Sequence, residues 1–190
     1  MDLFRIGRLE QILKHKMLSN STIKLDINDL LKRINYGMAK SSCELKSRLL
    51  EIEFELKNNS FIPVIFINKI GSILFDATGK ENINGQIQKQ ILLIFNEFCH
   101  KYGATIIITN HLVNWLGISK PALGKIWIKG ISKRIFLKRE QNYFYLESQI
   151  DGKINGNYIN YSLSEAGFIE KKLRMEHDYI AKIEELSEDV

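Results

Sequence analysis

The chain has 190 residues, of which 45% are hydrophobic and 26% are charged. This composition supports a folded domain with an apolar core and excludes an intrinsically disordered protein. The net charge of +5 permits a nucleic-acid partner without requiring one. No apolar run reaches the roughly 18 residues of a membrane-spanning helix, and the N-terminus lacks the apolar core of a signal peptide. We therefore expect a soluble intracellular protein that folds as one domain over residues 1–190.

Helical periodicity dominates the first third of the chain. Apolar residues recur three or four positions apart from Leu3 to Met17, which predicts an amphipathic helix close to the N-terminus. The segment Arg33–Met38 alternates apolar and polar residues and predicts a half-buried strand. Ser41 and Glu44 have the spacing of a capping box, and they precede a second helical pattern from Leu45 to Lys57.

Two continuous apolar runs, Phe61–Ile67 and Ala104–Thr109, predict strands that are buried on both faces of a parallel sheet. The second run follows a helical pattern, Gln86–Tyr102, which ends at Gly103, where a left-handed helix stop is favoured. A helix, a glycine and a buried strand in this order indicate a crossover unit and hence an α/β domain. Between the two strands, Gly71–Gly85 is rich in turn-forming residues and is predicted to be a loop.

The last third of the chain changes to alternation. Lys133–Arg139 and Tyr143–Ile150 alternate on either side of a short polar break, which predicts a β-hairpin. A third alternating run covers Tyr158–Leu163. From Phe168 the pattern becomes helical, so residues 168–190 are predicted to form a charged helical tail.

Several motifs resemble the RecA-superfamily core, and the first three of them resemble its last third. They are TIIITNH (Thr105–His111), KPALGKIW (Lys120–Trp127), KRIFLKR (Lys133–Arg139), FRIGRL (Phe4–Leu9) and the segment Tyr158–Phe168. The first three resemble the eukaryotic strand-exchange recombinase and its paralogues, especially the D-type paralogue. The fourth resembles the family's Phe-Arg-x-x-Arg-Leu helix start, and the fifth its closing strand and Ala-Gly turn.

The resemblance implies a fold that is only part of the family's core. We expect an α/β fold with a partial RecA-like core, a mostly parallel sheet flanked by helices, and a C-terminal hairpin or antiparallel extension. In the family, the phosphate loop, its helix and a core strand precede the Phe-Arg helix, so this chain would be short at its N-terminus. A half-built sheet leaves an apolar edge and face exposed, and a permanent partner is the expected remedy.

The resemblance also shows where the residues for ATP hydrolysis would lie, and this sequence lacks those residues. No GxxxxGK[ST] phosphate loop occurs, and Asn68 stands where the Walker B strand would carry its Mg²⁺-binding acid. Met1 takes the place of the glutamate that orients the attacking water in the family. We therefore predict no intrinsic ATPase activity, no cofactor of its own and no metal site. An ordinary strand-end role for Asn68 is the alternative.

Three residues match a turn that lies at an interface in the family. Nucleotide lies between neighbouring subunits there, and the turn corresponding to Ser119-Lys120-Pro121 caps the neighbour's ATP. The resemblance thus implies that Ser119, Lys120 and Pro121 act on ATP and Mg²⁺ held by a partner, with an ordinary solvent-exposed turn as the alternative. His111 matches a position that senses the nucleotide and signals to a DNA loop, with a structural histidine as the alternative.

Two segments correspond to the family's DNA loops, Gly71–Gly85 and Leu112–Ser119. The second is eight residues long and contains no Arg or Lys, so it cannot grip single-stranded DNA as the recombinase does. Its Trp115 is suited either to stacking on a base or to packing against a partner. Six basic residues further along are candidates for phosphate or partner contacts: Lys125, Lys129, Lys133, Arg134, Lys138 and Arg139.

These observations predict a non-catalytic recombinase-paralogue subunit in the nucleus. It would form a heterodimer with an ATP-binding paralogue and help to bind, stabilise or remodel recombinase filaments on single-stranded DNA during homologous-recombination repair. It would reach that DNA through the complex, and no membrane partner is expected. Two alternatives stay open. One is a generic interaction module on a degenerate RecA scaffold, and the other is a fragment of an active RecA-type ATPase, against which the neutral Asn68 argues.

Overall fold

A computed structural model describes residues 5–19, 26–58, 61–74, 81–140, 143–150, 153–165 and 167–170. The helices of this part of the chain are α1 (Ile6–Ser19), α2 (Ile27–Lys32), α3 (Ser42–Asn58), α4 (Ile70–Leu74), α5 (Glu81–Tyr102) and α6 (Gly124–Gly130). The strands are β1 (Val64–Ile67), β2 (Thr105–Ile108), β3 (Leu112–Trp115), β4 (Ile118–Pro121), β5 (Lys133–Glu140), β6 (Tyr143–Ile150), β7 (Lys153–Ser164) and β8 (Gly167–Glu170). The fold is therefore mixed α/β.

The chain divides into two compact units, one formed by residues 36–132 and the other by residues 1–35 together with 133–190. The first contains α3 to α6 and β1 to β4, and the second contains α1, α2 and β5 to β8. The prediction of one truncated RecA-like domain over residues 1–190 stays a prediction.

The core of the first unit is built by its helices and by one face of β1 and β2. The most deeply buried side chains are Leu49, Ile70, Ile91 and Phe98. Trp127 of α6 packs edge-on against Phe95 of α5, with 6.2 Å between the ring centroids. Because α5 contributes to the core along much of its length, it is the helix on which this unit is assembled.

Local signals for two of these helices are confirmed. At the start of α3, the Glu44 backbone N–H donates to Ser41 Oγ at 3.2 Å, and the Glu44 carboxylate accepts from the Lys40 N–H at 2.7 Å. At the end of α5, Gly103 has a φ of +66°, the left-handed conformation that glycine adopts without a steric penalty. The chain then enters β2 immediately.

The crossover between β1 and β2 is also confirmed. The two strands pair in parallel, from Val64 beside Thr105 to Ile67 beside Ile108. The prediction that these strands are buried on both faces is wrong, however, because Val64, Phe66 and Ile107 are exposed. Only one face of the pair packs on the core, so burial alternates along strands whose sequences are almost continuously apolar.

The expectation of a mostly parallel sheet is wrong for the part of the chain that the structure describes. Parallel pairing there is confined to β1 and β2, whereas β3–β4 and the four strands β5–β6–β7–β8 are antiparallel. The reason is that the alternating C-terminal runs are joined by short connections, which favour antiparallel neighbours. The predicted C-terminal antiparallel extension is thus confirmed, and it is the largest sheet of the described chain.

Two predicted elements of the N-terminal half differ from the structure. Residues 34–39 are irregular rather than a strand, and no neighbouring strand pairs with Arg33–Met38 in the described ranges. The predicted loop Gly71–Gly85 is helical at both ends, where α4 and α5 lie, and residues 75–80 fall outside the described part. The prediction of a loop is therefore wrong for the start of α5, because the turn-forming residues there lie in a helix.

Part of the predicted C-terminal helix is a strand. Phe168–Glu170 belongs to β8 and pairs with β7, from Tyr161 beside Glu170 to Ser164 beside Gly167. Residues 171–190 of the predicted tail lie outside the described residues. In the same unit, Arg8 of α1 donates from its guanidinium to the Ser164 carbonyl at 2.8 Å, so the N-terminal helix contacts the β7–β8 connection.

A close approach of α6 to α5 makes Gly130 sensitive to substitution. A Cβ at Gly130 would lie 2.6–3.1 Å from the side chain of Leu92, which is buried. We expect Gly130→Ala to lower the free energy of unfolding by about 1–2 kcal/mol, because Leu92 must move within a packed core. Urea denaturation followed by circular dichroism measures this change.

Gly85→Ala is the matched control. A Cβ at Gly85 would meet Ile126 at 3.5 Å, which is an ordinary contact, and alanine favours a helix over glycine by up to about 1 kcal/mol. We expect this variant to be neutral or slightly stabilised. Equal destabilisation by both substitutions would contradict the packing of Gly130 against Leu92.

Candidate site at the carboxyl edge of the parallel strands

Polar residues gather where β1 and β2 end. Asn68 and Lys69 follow β1, and Thr109, Asn110 and His111 follow β2. Because the strands are parallel and in register, their carboxyl ends lie at the same edge. Ligands of open α/β sheets bind at this edge, so it is the candidate site of the first unit.

A short hydrogen-bond network joins the two strand ends. The Thr109 hydroxyl donates to Asn68 Oδ1 at 2.6 Å and accepts from the Lys69 backbone N–H at 2.8 Å. The Thr109 carbonyl also accepts from the Ile70 N–H at 3.0 Å, which fixes the start of α4. Asn68 therefore lies at the strand end as predicted, and its amide oxygen is used to hold the neighbouring strand.

A second network surrounds His111. The His111 backbone N–H donates to Asn110 Oδ1 at 3.0 Å, while Asn110 Nδ2 donates to the Ala122 carbonyl at 3.0 Å. The Ala122 N–H returns a bond to the His111 carbonyl at 3.0 Å. The Asn110 side chain thus ties the end of β2 to the residue that follows β4.

The imidazole of His111 lies against the backbone of α4. A Cβ at Gly71 would stand 2.7 Å from His111 Cε1 and 2.8 Å from Nδ1, and it would also clash with Asn110 Oδ1. Glycine is required where a backbone approaches another group this closely. His111 is an exposed residue held by its neighbours, and its proposed sensing role stays a prediction.

The segment predicted as an interfacial turn is a strand instead. Ser119, Lys120 and Pro121 lie in β4, where Lys120 pairs with Val113 of β3. Ser119 and Lys120 are exposed. Because Ala122 bonds to His111, Lys120 and Pro121 lie in the chain directly before the second hydrogen-bond network.

The predicted DNA loop Leu112–Ser119 is likewise not a loop. β3 and β4 form a tight hairpin around Leu116 and Gly117, whose φ values are +53° and +81°. Two consecutive positive φ values are typical of a type I′ turn, which joins strands closely. Trp115 belongs to β3, but its side chain lies outside what the structure describes.

The basic candidates are divided between the two units. Lys125 and Lys129 are exposed on α6, in the first unit. On β5 in the second unit, alternation places Lys133 and Arg139 on one face and Arg134 and Lys138 on the other. The four cations of β5 therefore do not form one continuous stripe.

Two of these cations are engaged within their own sheet. Lys138 Nζ bonds to Glu147 Oε2 at 2.6 Å, and Glu147 is buried. The Arg139 guanidinium lies 5.4 Å from the centre of the Phe144 ring. Lys138 is thus a structural cation of this sheet, and its predicted phosphate or partner contact stays a prediction.

Among the described residues, no group of three or more His, Cys, Asp or Glu side chains is arranged to hold a metal ion. Cys43 and Cys99 are exposed on α3 and α5. Across the same ranges, no helix is long and apolar enough to cross a membrane.

The chain was compared with known proteins. No family model matches it. RAD51-like protein 1 of Caenorhabditis elegans is 25% identical over 114 residues, which cover 60% of this chain and 44% of that protein. RAD51-like protein 1 of Caenorhabditis briggsae is 25% identical over 109 residues, or 56% and 44% of the two chains. The chain is similar to RAD51-like proteins.

This similarity supports the relationship to recombinase paralogues that the motifs indicated. The chain spans less than half the length of these two relatives. A DOP1 homologue of Plasmodium falciparum is 28% identical over 155 residues, which cover 82% of this chain but only 4% of that protein. Such a small share of a very long protein carries no argument about function.

Sequence reasoning found the edge but missed the residues that organise it. Thr109 ends a predicted strand and Asn110 lies in the TIIITNH motif, yet neither pattern shows their bonds. The Thr109–Asn68 bond depends on the register of β1 and β2, and the Asn110–Ala122 bond depends on where the β3–β4 hairpin ends. Gly71 was predicted to lie in a loop, but it lies in α4, where its lack of a side chain leaves room for the His111 ring. A glycine in the first turn after an apolar strand was the available signal.

Proposed function

We propose that the chain is a non-catalytic recombinase-paralogue subunit, related to the D-type paralogue, that pairs with an ATP-binding paralogue. The observation that carries this proposal is the 2.6 Å bond from the Thr109 hydroxyl to Asn68 Oδ1. An ATPase of this family keeps a charged carboxylate at this strand end for Mg²⁺. Here a neutral amide occupies the position and serves to join β1 to β2.

The residues at this edge do not fit a Mg²⁺–ATP complex of their own. The five residues that follow β1 and β2 are Asn68, Lys69, Thr109, Asn110 and His111, and none of them is a carboxylate. Mg²⁺ in phosphate sites is usually held by one or two carboxylates with water and phosphate oxygens. ATP and Mg²⁺ therefore belong to the partner in this proposal.

The role in trans rests on β4, the second strand of the β3–β4 hairpin. Lys120 is exposed, and the chain after it is fixed by the bonds between Ala122 and His111. A lysine ammonium is a compact charge suited to a phosphate group. We place Ser119, Lys120 and Pro121 at the nucleotide of the partner, with His111 next to them as the residue that responds to it.

The exposed face of the parallel pair supports a permanent partner. Val64, Phe66 and Ile107 project from β1 and β2, and Phe61 and Ile62 just before β1 are exposed as well. In the described ranges, β1 and β2 pair only with each other. Open strand edges beside an apolar face are usually covered by another chain or element.

The complex would act on recombinase filaments on single-stranded DNA in homologous-recombination repair in the nucleus. The RAD51-like relatives support this setting. This chain would reach the DNA through its partner and the filament, because the β3–β4 hairpin carries no cation before Lys120 and the β5 cations are divided between two faces.

ATP hydrolysis by the purified chain tests the non-catalytic assignment. We expect no Mg²⁺-dependent phosphate release above the protein-free rate, because the metal position is a neutral amide. The assay follows released phosphate for the chain and for its Asn68→Ala and Asn114→Ala variants, the second being an exposed asparagine of the hairpin. Hydrolysis that survives Asn114→Ala but is lost in Asn68→Ala would contradict the proposal.

A further inference from the structure

One face of the four-stranded sheet β5–β8 is apolar and open. The register of the strands places the following exposed side chains on this face, called here the apolar sheet face: Ile135, Leu137, Ile150, Ile159, Leu163 and Phe168. All four strands contribute to it. A sheet ordinarily turns its apolar face to a core and its polar face to water.

This sheet shows the reverse arrangement. On β5, Ile135 and Leu137 are 58% and 60% exposed, whereas Arg134 and Lys138 on the opposite face are partly buried. The opposite face also holds the buried Glu147. The exposed apolar area is on the order of 600 Å², the upper end for a monomer surface and close to the roughly 800 Å² that each partner contributes to a standard interface.

The charged residues on this face would pair with those of a second copy of the chain that is related by a two-fold axis. The register aligns Arg139, Phe144, Tyr161 and Glu170 in one row across all four strands, with the cation at one edge and the carboxylate at the other. A two-fold axis parallel to the strands would lay β5 over β8 of a second copy. Arg139 would then face Glu170 of the second copy, and Phe144 would face Tyr161.

We propose that this chain forms a two-fold dimer through the apolar sheet face, with the two sheets packed face to face about 10 Å apart. The surface belongs to the second unit, whereas the partner site proposed above belongs to the first, so this inference goes beyond the proposed function. Engagement of both surfaces would give an assembly with two copies of each subunit.

The composition of the face favours a protein sheet over single-stranded nucleic acid. Phe144, Tyr161 and Phe168 pack on one another, with ring centroids 5.5 and 4.7 Å apart, and Tyr161 is buried. The exposed centre is aliphatic, and aliphatic side chains do not offer the flat surface on which bases stack. On β5, Lys133 and Arg139 supply the positive charge of this face, and both lie at its edge rather than among the aliphatic side chains of its centre.

Sedimentation equilibrium of the full chain over a concentration series tests the dimer. Leu137→Asp places a carboxylate at the centre of the interface and is expected to weaken dimerisation by about 100-fold or more. Phe54→Asp on α3, an exposed aromatic outside the face, is the matched control and should leave the dissociation constant unchanged. Circular dichroism checks that both variants stay folded, as their exposure predicts.

A charge exchange tests the two-fold arrangement itself. Arg139→Glu and Glu170→Arg should each weaken self-association by roughly tenfold, because each creates two like-charge pairs per dimer. An equimolar mixture of the two variants should dimerise like the unaltered chain, since each supplies the charge that the other lacks. A mixture that associates no better than the separate variants would overturn the proposed two-fold arrangement.

Three results would overturn the dimer as a whole. The first is a chain that stays monomeric at its highest soluble concentration, and the second is a dimer whose dissociation constant is unchanged by Leu137→Asp. The third is binding of a fluorescent oligothymidylate that Leu137→Asp and Arg139→Glu abolish, which would assign the face to nucleic acid.

Discussion

Phe98→Ala is expected to lower the free energy of unfolding by about 3–5 kcal/mol, the range for removal of a buried aromatic ring. Phe98 lies in α5 and has no exposed surface, and its ring packs edge-on against Tyr102 with 6.1 Å between centroids. Its carbonyl also accepts from the Ala104 N–H at 3.1 Å, where the chain turns into β2. The substitution leaves a cavity at the point where the helix meets the parallel strands.

Urea denaturation of the variant measures this loss, with Phe54→Ala as the control. Phe54 lies on α3 and is 69% exposed, so its truncation removes few packed contacts and should change the stability by less than about 0.5 kcal/mol. Similar losses for the two phenylalanines would contradict the core that we assign to the first unit.

The second large effect is expected in the sheet β5–β8, from Lys138→Met. This substitution keeps the length of the side chain but removes the ammonium that bonds to Glu147 at 2.6 Å. The Glu147 side chain is 8% exposed, so an unpaired carboxylate would be left in a poorly solvated position. The Lys138 side chain is 41% exposed. We therefore expect the free energy of unfolding to fall by about 2 kcal/mol, less than the roughly 3–5 kcal/mol lost when one partner of a fully buried ion pair is removed.

A double-mutant cycle separates the pair from other effects. Lys138→Met combined with Glu147→Leu removes both charges and should recover most of the lost stability, because no buried charge stays unpaired. Lys16→Met, an exposed lysine of α1 in the same unit, is the control for a missing surface cation. A double variant as unstable as Lys138→Met alone would show that the ion pair is not the cause.

Elements with strong local signals were predictable from the sequence. The capping box at Ser41 and Glu44, the end of α5 at Gly103 and the apolar runs of β1 and β2 each specify their structure within a few residues. Their order was enough to predict a crossover and a parallel pair, since such connections have few alternatives. The alternating runs of β5 and β6 likewise predicted an antiparallel hairpin.

Features that depend on distant parts of the chain were not predictable. A continuous apolar strand such as β1 does not reveal whether its second face is covered, so the exposure of Phe66 was missed. The helix α6 is short, contains β-branched residues and has glycine at both ends, so its local propensity argues against a helix. The type I′ turn places Leu116 at a positive φ, a position where glycine or asparagine is usual.

The candidate site shows the same division. The resemblance assigned roles to Asn68 and His111, which follow the apolar runs of β1 and β2, and the parallel pairing of these strands brings both residues to one edge. The bond between Asn68 and Thr109 could not be predicted, because it requires the register that places Ile67 beside Ile108. The placement of Lys120 in a strand required the pairing of β3 with β4, which no local pattern specified.

The central claim is that this chain pairs with an ATP-binding paralogue and contacts its nucleotide. Co-expression with such a paralogue, followed by size exclusion with light scattering in ATP and Mg²⁺, tests it most directly. We expect the two chains to elute together at equal stoichiometry, and we expect Lys120→Ala to weaken the complex while Lys89→Ala, at an exposed lysine of α5, does not. A chain that elutes apart from every ATP-binding paralogue, with or without nucleotide, would contradict the account.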